Sequence, residues 1–192
     1  ELDDAASKAK QTRKKTLLDW YEKAVATLKT AQEGLFASPQ ADIKPLFRLV
    51  DDMMATIRSK GHEPFLLLPK LAEGMDPHLA HGVNVGILSC VLGELYGLNT
   101  GQINTLSVAG FLHDLGRVTI PVEWAQDQSA LSLFERAAVH QHSAWGFLLL
   151  ARCAEIQPQL ALLAAYHHLP PPLPGTRGEW SDVFQRILHV AD

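Results

Sequence analysis

Histidine and aspartate residues occur at positions where the helical pattern of this chain calls for apolar side chains. His113 and Asp114 directly follow the apolar run Val108–Leu112, and Asp192 follows the run Ile187–Ala191. Burying such groups without partners costs several kcal/mol for each group, and more for an unpaired carboxylate. The set comprises five histidines and two aspartates: His81, His113, Asp114, His142, His167, His168 and Asp192.

A shared metal site would satisfy all of these buried groups. Imidazole together with carboxylate suits iron, manganese, zinc or nickel better than calcium. Seven ligands exceed the needs of one ion, so the sequence predicts two ions. His167 and His168 alone have another interpretation, as favourable charges at a helix C-terminus. Four further histidines are interpreted as surface or hydrogen-bonded core residues: His62, His78, His140 and His189.

The pattern of apolar residues predicts an all-α fold. Apolar side chains recur at helical spacing, and strand-like alternation is nearly absent. Ser132 followed by Glu135 is typical of a capping box, Thr100 is a candidate N-cap, and Gly116 is placed to end a helix that reaches Asp114. The predicted helices cover residues 4–35, 45–60, 63–72, 81–98, 100–114, 132–151, 157–168 and 183–191. Glycines in the helix 81–98 would allow close packing against a neighbouring helix: Gly82, Gly86 and Gly93.

The composition of the 192 residues excludes several classes of protein. Hydrophobic residues make up 47% and charged residues 20%, which excludes wholesale disorder. A net charge of -4 leaves no global basic field for nucleic acid. The two cysteines, Cys90 and Cys153, exclude a disulfide scaffold and favour a reducing, cytoplasmic compartment. The start of the chain, Glu1–Lys15, has no apolar core for a signal peptide, and we expect no membrane span.

An ordered series of motifs resembles the HD superfamily of metal-dependent phosphohydrolases, and within it the HD-GYP branch. The resemblance covers about residues 45–192 at near-family spacing. The matching segments, with the family motif in parentheses, are His81–Val85 (HSxNV), Phe111–Arg117 (LLHDIGK), Ile120–Pro121 (IP), His142–Gly146 (HPxxG), His167–His168 (HHE) and Arg186–Asp192 (ARILAVAD).

This resemblance implies a binuclear metal centre, with iron or manganese as the expected ions. His81, His113, Asp114 and Asp192 would surround one ion, and Asp114 would bridge to the other. The second ion would be completed by His142, His167 and His168. Asp114 would also orient the attacking hydroxide, and Arg117 would neutralise a phosphate oxygen as the second catalytic residue.

Three departures from the family pattern affect this expectation. Arg117 replaces a lysine, which exchanges a point charge for a planar fork. Pro77 occupies the position of the glutamate that three-metal members use, although Asp76 and His78 flank it. The segment Leu169–Glu179 is proline-rich and lacks the glutamate, aspartate and tyrosine of the motifs HHE and DGxGYP.

The expected architecture is an HD-domain helical bundle, residues 45–192, preceded by a helical extension or connector, residues 1–44. The expected function is a bacterial cyclic di-GMP phosphodiesterase, and further helices are expected after Asp192. The apolar stripe of the first helix needs a cover, either the domain itself or a second copy in a homodimer, and an upstream regulatory domain is expected. Two rivals remain, namely a phosphohydrolase of another nucleotide and a catalytically weak module that binds cyclic dinucleotides.

Overall fold

The all-α prediction is confirmed by a computed structural model, which describes residues 2–68, 74–121, 124, 131–170 and 179–192. Side chains are described from residue 15 onward within these ranges, apart from those of 179–181. No strand occurs in the described ranges. The helices are α1 (Leu2–Ala37), α2 (Lys44–Lys60), α3 (Glu63–Leu66), α4 (Pro77–Tyr96), α5 (Thr100–Leu112), α6 (Leu133–His140), α7 (His142–Ala151), α8 (Pro158–Tyr166) and α9 (Glu179–Ala191), and a 3₁₀-helix spans Leu115–Thr119.

The apolar stripe of α1 is covered by the domain itself. Its buried side chains pack mainly against α4 and α2, and they belong to the same hydrophobic core as the rest of the chain. The domain therefore covers the apolar stripe in the C-terminal half of α1, and the homodimer stays a prediction. The buried residues of this stripe are Tyr21, Ala24, Leu28, Ala31 and Leu35.

Helices α4 and α5 form the tightly packed centre of the bundle. A Cβ atom on Gly86 would overlap the ring of Phe111, and one on Gly110 would lie 3.0 Å from Cα of Gly86. The prediction that glycines allow close helix packing is thus confirmed here. By length and composition alone α4 would suffice to cross a membrane, but a helix buried in a protein core passes the same test.

Two predicted helix starts have different outcomes. The capping box at Ser132 and Glu135 is confirmed, because each side chain accepts a hydrogen bond from the other residue's backbone N–H, at 3.3 and 2.8 Å. Thr100 as N-cap is wrong. Asn99 caps α5, since its Oδ1 accepts from the backbone of Gln102 at 3.0 Å and the Gln102 side chain returns the bond at 2.8 Å.

Several predicted helices are shorter than expected. Helix α5 stops at Leu112, so it does not reach Asp114 and Gly116 does not end it. The predicted helix 132–151 breaks at Gln141, which makes His142 the first residue of α7. Helix α8 ends at Tyr166, and α3 at Leu66, while residues 69–72 of the prediction lie outside the described ranges.

Candidate metal centre

Three histidines use the free carbonyl groups at helix ends to orient their rings. Nδ1 of His113 lies 2.8 Å from the carbonyl oxygen of Gly110, at the end of α5. Nδ1 of His142 and of His167 lie 2.6 Å from the carbonyls three residues earlier, at the ends of α6 and α8. The last carbonyls of a helix lack intrahelical partners, and a carbonyl only accepts. Nδ1 of each ring therefore carries a proton, and Nε2 faces the interior.

The first group of candidate ligands, called here the Asp114 group, consists of Asp114, His142, His167 and His168. Asp114 Oδ1 lies 3.0 Å from His142 Nε2 and 3.7 Å from His167 Nε2. His142 Nε2 lies 3.2 Å from His167 Nε2 and 3.1 Å from His168 Nε2. All four ligand atoms are within 4.8 Å of one another.

The second group, called here the His81 group, consists of His81, His113 and Asp192. Asp192 Oδ1 lies 3.0 Å from His81 Nε2 and 3.3 Å from His113 Nε2. These side chains come from the start of α4, the end of α5 and the end of α9. The structure therefore brings all seven predicted ligands together, in two adjacent groups.

Asp114 is the point at which the two groups meet. Its Oδ1 faces the histidines of its own group, while its Oδ2 lies 3.6 Å from His113 Nε2 in the other group. Oδ2 also lies 2.6 Å from Arg117 Nε, so the eighth predicted site residue is in the cluster as well. A carboxylate with one oxygen toward each group is arranged as a bridge between two cations would be.

The donor set fits divalent cations. Because Nδ1 of His142 and of His167 each donate to a carbonyl, their two Nε2 lone pairs face each other at 3.2 Å. Nε2 of His113 and Oδ1 of Asp114 are buried and form no hydrogen bond of good geometry. Buried acceptors that face one another are costly unless a proton or a cation lies among them. Imidazole nitrogens oriented by a second hydrogen bond are typical of metal ligands.

The electrostatic environment keeps the ligands in the protonation states that metal binding requires. Burial opposes ionisation of Asp114, but the facing imidazoles of His142 and His167 and the charges of His113 and Arg117 outweigh it and hold its pKa far below the usual range. The facing imidazoles of His113 and His81 likewise lower the pKa of Asp192 against the effect of burial. Burial and two neighbouring imidazoles lower the pKa of His168 to about 4, so its ring is neutral at pH 7.

His113 is the exception among the described shifts. Burial alone would lower its pKa, but the facing carboxylates of Asp192 and Asp114 outweigh burial and raise it. Two carboxylates facing one imidazole favour a positive charge there, and a cation would supply the same charge.

The position of α7 relative to Asp114 depends on Gly116. A Cβ atom at Gly116 would overlap the carbonyl oxygen of His142 and would lie 2.6 Å from the backbone nitrogen of Gly146. The turn that carries Asp114 and the helix that carries His142 thus touch through their backbones. The glycine acts here as a packing residue and not as the helix stop predicted from the sequence.

His140, His189 and the residues at the third-metal position lie outside the two ligand groups. Asp76 precedes Pro77, which replaces the family glutamate. Its carboxylate caps α4 by accepting hydrogen bonds from the backbone N–H groups of His78 and Leu79. His189 Nδ1 lies 3.3 Å from the carbonyl of His167, and the exposed ring of His140 lies 6.2 Å from that of His168.

The functional neighbour that the sequence prediction missed is Tyr21. Its hydroxyl lies 2.8 Å from Asn84 Oδ1 and 3.2 Å from the carbonyl oxygen of Ala80, the residue before His81. Tyr21 fits the apolar stripe of α1, and nothing in that stripe distinguishes it from a core residue. Asn84 belongs to the HSxNV-like segment. A polar side chain in this apolar helix is the one sequence feature that indicates a polar partner such as Tyr21.

Comparison with known families supports the interpretation of this cluster. The sequence profile described as HD domain matches residues 79–192, which is more than half of the chain. The chain therefore belongs to the HD domain family. Together with the histidine and aspartate cluster, this membership indicates a metal-dependent phosphohydrolase. Neither the curated proteins nor the solved structures that were compared contain a match to the chain.

Proposed function

We propose that the chain is a phosphodiesterase of the HD-GYP type that acts on cyclic di-GMP through a binuclear centre. The ordered motifs from His81 to Asp192 support the branch, since each has its counterpart at near-family spacing. A ligand set of five imidazoles and two carboxylates favours iron or manganese as the resident ions.

The observation that carries the proposal is the placement of Asp114 between two ligand groups. Its two oxygens face different sets of histidines, and its side chain is only 8% exposed. A single ion would need only one of these groups. The second group, with its own carboxylate Asp192, is therefore best explained by a second ion.

The residues of the centre have distinct roles in the hydrolysis. When bound, two divalent cations polarise a phosphodiester and lower the pKa of a coordinated water. Asp114 fixes the position of the two ligand groups relative to each other, because one of its oxygens faces each group. Arg117 Nε forms an ion pair with Asp114 Oδ2 at 2.6 Å, and the guanidinium has five N–H donors in all, so its terminal N–H groups would be available to a phosphate oxygen. Water would attack phosphorus in line with the leaving sugar oxygen: a new P–O bond would form as the bond to the sugar breaks, and the proton that the water gives up would go to the leaving oxygen.

A cleft beside the centre supports an organic substrate over inorganic or simple alkyl phosphates. It has a volume of about 660 Å³, lies between α7 and α8, and reaches the centre through His168. Its walls are largely apolar, which suits the flat face of a nucleobase. The residues that line it are His140, Gln141, Ser143, Ala144, Phe147, Leu162, Ala165, Tyr166, His168 and Leu169.

The missing DGxGYP motif favours a second candidate, in which cyclic di-GMP is bound or turned over slowly. Residues 171–178 of the segment that replaces the motif lie outside the described ranges. Prolines lack the backbone N–H groups that a loop can offer to phosphate. We therefore expect recognition of the dinucleotide to suffer more than the metal chemistry.

The test is an assay of anaerobically purified, metal-analysed protein on two substrates side by side. We expect hydrolysis of bis(p-nitrophenyl) phosphate, with slower turnover or simple binding of cyclic di-GMP. Asp114→Ala should abolish both activities, whereas Asp52→Ala, an exposed aspartate on α2, is the matched control and should keep them.

Three results would change the proposal. Efficient and selective cleavage of cyclic di-GMP would show that the DGxGYP motif is dispensable in this chain. Protein that holds two metal equivalents and cleaves neither substrate would favour a binding module, and protein that holds no metal would contradict the binuclear centre itself.

A further inference from the structure

Two side chains of α1 contact the turn of α4 that carries His81. The Tyr21 hydroxyl shares its hydrogen between the carbonyl of Ala80, at 3.2 Å, and Oδ1 of Asn84, at 2.8 Å. Tyr21 is fully buried, so water cannot replace these bonds. The hydrogen bonds therefore connect α1 to residues one before and three after His81.

Leu28 makes the second contact, two turns further along α1. A Cβ atom added to Gly82 would lie 3.0 Å from Leu28 Cδ2, which places this side chain directly against the residue after His81. Leu28 is also fully buried. Hydrogen bonds from Tyr21 and packing by Leu28 thus hold the backbone on both sides of His81.

His81 depends on such support more than His113, His142 and His167 do. The rings of His113, His142 and His167 are fixed by helix-end carbonyls. The His81 ring instead contacts Asp192 at 3.0 Å, and its side chain is 39% exposed. Its position is set mainly by the backbone of α4, and α1 packs on that backbone.

We propose that Tyr21 is a positioning residue of the metal centre: through Ala80 and Asn84 it sets the place of His81 and thereby the affinity of the His81 group for a divalent cation. The inference rests on the proposed binuclear centre. It extends the functional unit beyond the residues 79–192 that match the HD domain, since part of the site is held from α1. The Asp114 group, anchored by carbonyls of α6 and α8, is independent of Tyr21.

The experiment is a calorimetric titration of the metal-free chain with Mn²⁺ under anaerobic conditions. Wild type, Tyr21→Phe, His81→Ala and the double variant are compared, and the His81→Ala variant identifies which binding step belongs to the His81 group. Tyr96→Phe is the matched control, because Tyr96 is the last residue of α4, the helix that carries His81, and its side chain is 65% exposed. Leu28→Ala tests the same contact through packing.

We expect Tyr21→Phe to weaken the His81 step roughly tenfold and to leave the other step unchanged, in the range known for supporting residues of metal sites. In the His81→Ala background, Tyr21→Phe should have no further effect on metal affinity, because residues that act through one another are not additive. Leu28→Ala should weaken the same step. Tyr96→Phe should weaken neither binding step. Co²⁺ absorption spectra should show the altered ligand geometry in Tyr21→Phe at temperatures where the chain is folded.

A purely structural role predicts a different pattern. Tyr21→Phe would then lower the melting temperature with both binding steps and the Co²⁺ spectrum unchanged, and that result would overturn the inference alone. Equal weakening of both steps would also overturn it. A wild-type chain without a His81 step would overturn the inference together with the binuclear centre, so the two failures are distinguishable.

Discussion

Gly116→Ala is expected to damage the metal centre by adding a single methyl group. The new Cβ would overlap the carbonyl oxygen of His142, and it would lie 2.8 Å from the carbonyl carbon of His142 and 2.6 Å from the nitrogen of Gly146. All three atoms belong to the backbone of α7, so no change of rotamer relieves the overlap. The helix must move away from the turn that carries Asp114.

The magnitude follows from the rigidity of this contact. Overpacking a core costs about 1–3 kcal/mol, and a backbone contact belongs at the upper end of that range. A loss of about 3 kcal/mol lowers the melting temperature of a domain of this size by roughly 6–12 °C. Because the displaced helix begins with His142, whose Nε2 lies 3.0 Å from Asp114 Oδ1, Mn²⁺ affinity of the Asp114 group should fall at least about tenfold.

The assay combines thermal unfolding with Mn²⁺ titration of the folded chain. Gly101→Ala is the control, because this glycine lies in the first turn of α5 and the nearest atom to an added Cβ is Asn99 Oδ1 at 3.5 Å. Alanine is the better helix former by about 0.5–1 kcal/mol, so this variant should be unchanged or slightly more stable. If Gly116→Ala melted like wild type and bound Mn²⁺ equally well, the backbone contact would not position α7.

Three further predictions concern charge and protonation. Asp114→Ala should lose both metal equivalents, whereas a single histidine variant should lose one; elemental analysis that finds two equivalents in Asp114→Ala would refute the bridge. Mn²⁺ at a hundred times its Kd should stabilise the fold by about 2.7 kcal/mol and EDTA should reverse this, so identical melting curves would count against the site. Burial raises the pKa of Cys90 to about 12 from 9.0, which favours the neutral thiol in the folded state. Its contribution to stability is complete below about pH 9 and is lost at about 1.4 kcal/mol per pH unit toward pH 12. In Cys90→Ala the free energy of unfolding should therefore fall less steeply with pH on the alkaline side, by about 1.4 kcal/mol per pH unit, which corresponds to one proton. An unchanged slope would refute the assignment.

The composition of the candidate site could be predicted because buried polar groups are costly. His113 and Asp114 interrupt an apolar helical run, and Asp192 ends another, so their burial required a shared partner. The structure places all seven predicted ligands in two adjacent groups. The sequence pattern thus predicted which residues meet, since a core has few places for such groups.

The helix ends at the site could not be predicted from the same pattern. The helical spacing of the sequence shows no break between Leu112 and His113 or between Val139 and His142. It carries no information about the imidazole–carbonyl hydrogen bonds at the ends of α5 and α6. Those bonds run from imidazole Nδ1 to a carbonyl three residues earlier, and they depend on tertiary burial of the ring. Asn99 was missed for a simpler reason: Asn99 and Thr100 are both good N-caps, and only the backbone decides between them.

The two ligand groups differ in how they are prepared for a cation. The rings of His142 and His167 in the Asp114 group are turned inward by carbonyls of the helices that precede them, so most of their orientation is fixed by local chain geometry before an ion arrives. In the His81 group, His113 is oriented in the same way, but His81 lies near the start of α4, away from the carbonyls of its last turn. Its imidazole must therefore be placed through the backbone of α4, which Tyr21 and Leu28 hold from α1. A perturbation that enters through α1 thus acts first on the His81 group, and this is the physical route by which the segment before the HD domain can adjust the centre.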